Sequence, residues 1–360
     1  MLPPRLLRRL VLGPVAVVVA IAVAVLFPVL TVLMFLVSLT GLKWPRRMRG
    51  LRLLAFGLTW LGADAAALFM SLGLWLASGF GGRLHTEPYQ ARHYGIMHWF
   101  LDVVYQAAVR LFRLRIEVAG PDAASLAAAE DATILDRPVI VLSRHAGPGD
   151  SLLLVRYLLI ACGRRPHVVM TAAMQFDPAV DVVANRVPNV FVRRRRTGTR
   201  QFTEQIERLA QRLEGNGALV IFPEGGNWTP GRWLRRIRRL QQAGHDDLAA
   251  RARAMPHLLP PRSGGALSAI SARPDADVIF VAHTGLDQLV SVGDVWRSLP
   301  MDHVVHARWW RVPAEEVPRR EDHESQVRWL YDWWQRIETW IASQELTPLP
   351  AQPEPAPQEE

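Results

Sequence analysis

Two long apolar stretches open the chain. Residues 11–42 contain no charged side chain, and residues 53–80 contain only Asp64. Each exceeds the roughly 20 residues that carry a helix across a bilayer. Arg5, Arg8 and Arg9 ahead of the first stretch, with Ala22-Val23-Ala24 inside it, give it the look of a secretory signal. Its apolar run is far longer than the roughly 7–15 residues of a signal core, so the pattern predicts a retained anchor. Pro14, Pro28, Gly57 and Gly62 break the regularity of both helices. The alternatives are therefore two full spans, or segments that re-enter or lie within one leaflet.

Beyond residue 92 the pattern changes to short apolar runs alternating with amphipathic ones. Residues 138–143, 189–192, 218–222 and 278–283 are apolar and largely β-branched, as buried strands are. Residues 98–114 place Phe100, Val103, Val104, Ala107, Ala108 and Leu111 on one helical side. Residues 201–213 carry a stripe of Phe202, Ile206, Leu209 and Leu213, and helices are also predicted over 151–160 and after Gly265. At residues 327–341, Trp329, Trp333, Trp334, Ile337, Trp340 and Ile341 form a wide aromatic face, fit either for core packing or for the head-group level of a membrane. This alternation predicts an α/β fold with a mostly parallel central sheet flanked by helices. The expected division is a membrane-anchoring helical region over 1–92, a catalytic domain over 93–345 and a disordered, Pro- and Glu-rich tail over 346–360. No internal repeat is evident.

Composition sharpens this picture at two points. The single cysteine, Cys162, excludes an intramolecular disulfide and sits in an apolar stretch as a small core residue. The formal charge of +9 comes largely from Arg193–Arg196 and from Arg232, Arg235, Arg236, Arg238 and Arg239. No nucleic-acid recognition motif accompanies it, whereas anionic head groups reward each basic side chain near a membrane by about 1 kcal/mol. The second cluster reads as a lipid-facing or coenzyme A-phosphate clamp, or as a solvated helix face. The positive-inside count is tied, because arginines flank both ends of the apolar pair. A re-entrant pair with every arginine on one side removes that conflict.

The candidate chemistry centres on His145 and Asp150, separated by Ala-Gly-Pro-Gly. On one helix their side chains would diverge; across a glycine-rich strand-to-helix turn they converge, with Asp150 at the helix N-cap. A carboxylate that fixes an imidazole tautomer makes a base able to take a proton from an alcohol at neutral pH. A second strand ends at Phe222-Pro223-Glu224-Gly225, and a third runs into Arg193 and Arg194, whose guanidinium groups suit phosphate. Ligands in open α/β sheets gather at carboxyl ends of strands, where all of these residues fall.

In this order the motifs resemble the glycerolipid acyltransferase family, of which bacterial 1-acylglycerol-3-phosphate acyltransferases are the best-known members. The first motif is His145 with Asp150, the second Phe191 with Arg194, and the third Phe222, Pro223, Glu224 and Gly225. The strand 278–283, the stretch Leu259-Pro-Pro-Arg-Ser-Gly-Gly265 and the Trp-rich end are also similar. The resemblance spans residues 98–342. It implies acyl transfer from acyl-CoA or acyl carrier protein to a lysophospholipid hydroxyl on the cytoplasmic face of the cell membrane. His145 would be the base and Asp150 its partner. Glu224, with Phe222, Pro223 and Gly225, would organise the acceptor site; Arg194, assisted by Arg193, would hold its phosphate. Backbone N–H groups near Gly147–Gly149 or Gly225 would hold the oxyanion. The partners implied are membrane lipids and the thioester donor, with no nucleic acid, cofactor or metal, since a thioester is already activated. Two departures stand out: Arg193 replaces an acid, and Gly226-Asn227-Trp228-Thr229 replaces the usual Thr-Arg or Thr-Xaa-Ser. They bear on the acceptor, leaving another lipid or glycolipid acceptor, or a non-catalytic lipid-binding protein, as alternatives.

Overall fold

The computed structural model describes residues 3–40, 48–119, 137–147, 149–192, 199–287, 289, 292–301, 304–318 and 322–344. Its centre is a seven-stranded sheet in the order β1-β7-β6-β2-β5-β3-β4. The strands are β1 (Arg115–Ala119), β2 (Val139–Ser143), β3 (Arg165–Thr171), β4 (Val190–Val192), β5 (Gly217–Ile221), β6 (Asp277–Thr284) and β7 (Val304–Val312). Strands β6, β2, β5, β3 and β4 run parallel; β7 pairs antiparallel with β6 and parallel with β1. The expected mostly parallel α/β sheet is present.

Every residue of β2 and β5 is buried, as it must be when helices cover both faces of a parallel sheet. The two-residue period sorts their side chains. Ile140, Leu142, Leu219 and Ile221 join one apolar cluster with α6 (Thr199–Gln211), α9 (Ser263–Ala272) and α11 (His323–Ser343). Val139, Val141, Ala218 and Val220 join the other, with α2 (Arg49–Ala77), α3 (Glu87–Phe112), α4 (Asp150–Arg156) and α5 (Pro178–Ala184). In α11, Trp334, Ile337 and Ile341 are fully buried, and Trp333 stacks on Phe280 with centroids 4.6 Å apart. Core packing accounts for its aromatic face. Helix α3 begins eleven residues before the predicted start at 98, because Glu87 and Pro88 supply a good first turn. The remaining helices are α7 (Pro230–Gln242), α8 (Asp246–Arg253) and α10 (Val292–Ser298).

The first apolar stretch forms α1 (Gly13–Thr40), entered through a π turn at Arg8–Leu12. Its surface is apolar and open: Val18, Ile21, Val25, Val29 and Val32 are all more than half exposed. A helix so exposed is out of place in water. Helix α2 differs, since Ala63 and Ala67 are buried beneath the sheet alongside Phe56, Trp60 and Leu74. Polar bonds hold it along its length. Arg49 donates to the carbonyls of Leu299 at 2.8 Å and Arg297 at 3.1 Å, and Arg52 donates to that of Leu111. Asp64 accepts from the N–H of Ala179 at 3.0 Å, and the Ser71 carbonyl accepts from Arg186 at 2.7 Å. The tail over 346–360 and the basic positions 43–47 lie outside the described residues.

Candidate active site

Strand β2 ends at Ser143, and the next residue anchors the loop that carries the histidine. The Arg144 N–H continues the ladder to Val281 O at 3.1 Å. Its side chain, 1 % exposed, turns inward to the carbonyls of His283 and His257 and to the carboxylate of Asp287. One buried guanidinium thus ties three chain segments behind His145. The His145 N–H donates to Glu224 Oε1 at 3.2 Å, and its carbonyl accepts from Trp228 N at 3.1 Å. Phe222 packs against the imidazole at 4.8 Å between centroids.

The turn then brings the carboxylate back. A Cβ on Gly147 would stand 2.5 Å from the Leu286 carbonyl, and Gly149 has φ +91°. Neither place suits a side chain. Gly149 occupies the N-cap, one position earlier than the expected Asp150, which is the first helical residue of α4. Freed from capping, the Asp150 carboxylate faces the loop. His145 Nδ1 lies 2.9 Å from Oδ2 and 3.1 Å from Oδ1. Oδ2 also accepts from the N–H groups of Ala146 at 2.9 Å and Gly147 at 3.3 Å. Oδ1 accepts from Ser151 N at 2.5 Å and Ser151 Oγ at 3.0 Å. Burial alone would push this carboxyl up. The hydrogen bond of His145, with the charges of His145 and nearby His283, outweighs it and holds Asp150 well below the usual carboxylate range. Against an ionised carboxylate, Nδ1 is the protonated nitrogen of His145, and Nε2 is left as the basic one. The ring is 22 % exposed while Asp150 is sealed beneath it.

Glu224 sits elsewhere than expected. It is 0 % exposed, and its oxygens accept from His145 N and from Leu259 N at 3.3 Å. Burial pushes its carboxyl up to about 7, against the opposing pull of Arg144 and these two N–H groups. Rather than facing an acceptor, the side chain braces the base from behind. Pro223 is buried, and its carbonyl accepts from Arg262 N at 3.0 Å. Gly225 (φ +59°) is exposed at the surface of the turn. Two guanidinium groups flank it: the site of a Cβ there would be 3.5 Å from Arg262 Nε and 3.7 Å from Arg236 Nη2. Arg236 donates to the Glu224 and Pro260 carbonyls. Burial, followed by the repulsion of Arg262, lowers its pKa to about 10.

The strand ends expected to converge do so only in part. β2 and β5 are neighbours, but β3 separates β5 from β4, which sets the end of β4 two strand spacings, about 10 Å, from that of β5. Phe191 of β4 pairs with Met170 of β3, while Arg193 and Arg194 lie outside the described residues. The N–H groups of Gly147 and Gly225 already donate to Asp150 and to Phe222 O, so neither is held open for an oxyanion. Two site residues were given no role from the sequence: Arg262, and His283, which marked only the end of a strand; Arg236 was legible only as one member of a basic cluster. A hollow of about 450 Å³ beside Arg137, Pro138, Pro274 and Asp275 lies at the opposite ends of the strands.

An imidazole paired to a sealed carboxylate, with its outer nitrogen at the surface, is equipped to remove a proton from a hydroxyl. Residues 115–261 match the Acyltransferase family model, and both His145 and Asp150 fall within them. The chain contains an acyltransferase family domain. No curated protein and no solved structure matches the chain. Within the acyltransferase domain lie β1 to β5 and the turns bearing His145 and Glu224; β6, β7 and α11 complete its sheet and core from outside the matched segment.

Proposed function

We propose that this acyltransferase is membrane-associated and esterifies a lysophospholipid, with 1-acylglycerol-3-phosphate as acceptor and phosphatidate as product. Acyl-CoA or acyl carrier protein is the donor. The observation that carries the reading is the 2.9 Å contact of His145 Nδ1 with Asp150, which leaves Nε2 outward inside an acyltransferase domain. Nε2 takes the proton of the acceptor hydroxyl as that oxygen attacks the thioester carbonyl. The tetrahedral intermediate collapses with cleavage of the C–S bond, and the imidazolium returns its proton to the departing thiolate. Asp150 holds the tautomer and balances the imidazolium.

The guanidinium groups of Arg262 and Arg236 beside Gly225 favour an anionic acceptor. They flank the segment whose first member, Phe222, touches the His145 ring. Gly226-Asn227-Trp228-Thr229 keeps a second reading open, in which the acceptor is another lipid or glycolipid. This segment clamps the His145 carbonyl through Trp228 and caps α7 through Thr229, work unrelated to a particular head group.

Full-length protein in detergent is assayed for thiol release from acyl-CoA against a panel of lyso-acceptors. His145→Ala should lower transfer by about 10²- to 10⁴-fold, the usual worth of a positioned base, while the variant still sediments with membranes. Undiminished turnover in that variant refutes the base. Absence of thiol release from wild type with every donor and acceptor would favour a lipid-binding protein without turnover.

A further inference from the structure

His283, near the end of β6, is a buried imidazole with neither ring nitrogen hydrogen-bonded. Its side chain is 9 % exposed, and Nε2 stands 3.6 Å from Asp150 Oδ2. A buried polar group without a partner is destabilising, so its presence calls for a reason. The surroundings are charged throughout. Asp150 faces it from α4, His145 from the loop after β2, and Asp287 from the loop after β6, while Arg144 holds the His283 carbonyl from behind. Across the sheet its partner on β7 is the neutral Ala307. The carboxylate nearest the ring is therefore the one that serves the candidate base.

We propose that His283 is a positioning residue for the His145–Asp150 pair, a second imidazole sharing the same carboxylate. The inference rests on the acyltransferase reading for its functional meaning, but not for its test. A sealed carboxylate hydrogen-bonded to a histidine concentrates negative charge on one side of that ring. A second N–H directed at Oδ2 draws off part of that negative charge. It helps keep Asp150 ionised and shares the carboxylate that His145 uses. The 3.6 Å separation is slightly longer than a hydrogen bond. It closes by a shift of well under 1 Å, as contacts in resting sites commonly do when the reacting complex forms.

The test uses His283→Phe, which removes the donor, and His283→Gln, which restores one. Protein labelled with ¹³C at histidine Cε1 is titrated by NMR in detergent, with the His145 resonance assigned through His145→Ala. The acid limb of kcat/KM for thiol release is followed in parallel. In His283→Phe the His145 titration and the acid limb should both move up by about half a pH unit or more, with kcat at pH 6 falling several-fold. In His283→Gln both should stay near wild type. A role in packing alone would lower the melting temperature without moving the titration. His145 titrating as wild type in both variants, or shifted equally in both, overturns the proposal. Should wild type transfer no acyl group while the NMR shift follows this pattern, the function proposed above falls and the positioning role stands.

Discussion

Glu224 is the residue at which motif and geometry part company. From the sequence it belongs at the acceptor, since it follows a strand at the favoured end of the sheet. Pro223 breaks the strand's alternation, however, and the side chain turns inward to the backbone of His145 and Leu259. Which way a residue points after a proline-broken strand is not written in the local pattern, whereas the convergence of His145 and Asp150 was legible because glycines bracket their turn. The burial of Glu224 has a consequence for stability. Its carboxyl titrates near 7 when folded and near 4.5 otherwise, so the folded chain binds the extra proton between those values. The associated stability is full below about 4.5 and is lost as pH rises through about 7. Asp150, held low, behaves oppositely: its contribution is present above the ordinary carboxylate range and disappears only in stronger acid. Wild type should therefore lose melting temperature relative to Glu224→Gln between pH 4.5 and 7, measured by calorimetry in detergent. Parallel curves would mean that Glu224 is ionised throughout.

Among the elements, the strands were readable where their apolar runs are unbroken, the half-buried β4 included. β2, β5 and β6 are continuous apolar runs and were found, whereas β3 interrupts its pattern with Arg165 and His167, and β7 with His306, Arg308 and Arg311. No local signal reveals that β1 and β7 run against the rest, because that depends on pairings far apart in the chain. The β2–α4 turn is where one element's geometry controls the chemistry. In Gly147→Ala the new methyl group meets the Leu286 carbonyl, a backbone atom that cannot swing aside. Overpacking of this kind costs about 1–3 kcal/mol, and relief by moving the turn would separate Asp150 from His145. Melting should fall accordingly and thiol release should drop at least tenfold; an unaltered rate would show that the turn tolerates movement. Arg262 lies between elements, just ahead of α9, and flanks a different turn, the one at Pro223–Gly225 after β5. Because it is exposed, Arg262→Ala should fold normally. If the guanidinium receives the acceptor's phosphate, kcat/KM for 1-acylglycerol-3-phosphate should fall about tenfold, the worth of one charge-assisted bond of roughly 1.4 kcal/mol. The rate with an uncharged monoacylglycerol should not change. Equal losses for both acceptors would assign Arg262 to the architecture of the turn.

At the scale of the whole molecule, the arginines that left orientation tied in the sequence have structural work to do. Arg8 reaches Asp181 on α5 at 2.7 Å and Arg9 reaches it at 3.3 Å, so the start of the first apolar helix is fastened to the sheet domain. Its far end is near the same domain: Met34 packs on Gly50, beside Arg49, which grips the carbonyls of Arg297 and Leu299. Residues Arg5–Leu36 make a helix of 32 residues, about 48 Å long at 1.5 Å per residue. A helix that crosses a bilayer cannot have both ends against one domain that stays on one side. The arrangement instead favours α1 lying along a single leaflet, its exposed valines and leucines in the hydrocarbon, with α2 forming the layer between lipid and sheet. His145 would then work at the membrane surface, with its acceptor supplied laterally from that leaflet. Single cysteines at Arg5 and Met48, both exposed, in a Cys162→Ala background test this directly. A membrane-impermeant maleimide should label both from the cytoplasmic side in inside-out vesicles and neither in right-side-out vesicles. If α1 spans, the two positions label from opposite sides, and the apolar hairpin must then detach from the contacts at Asp181 or Leu299.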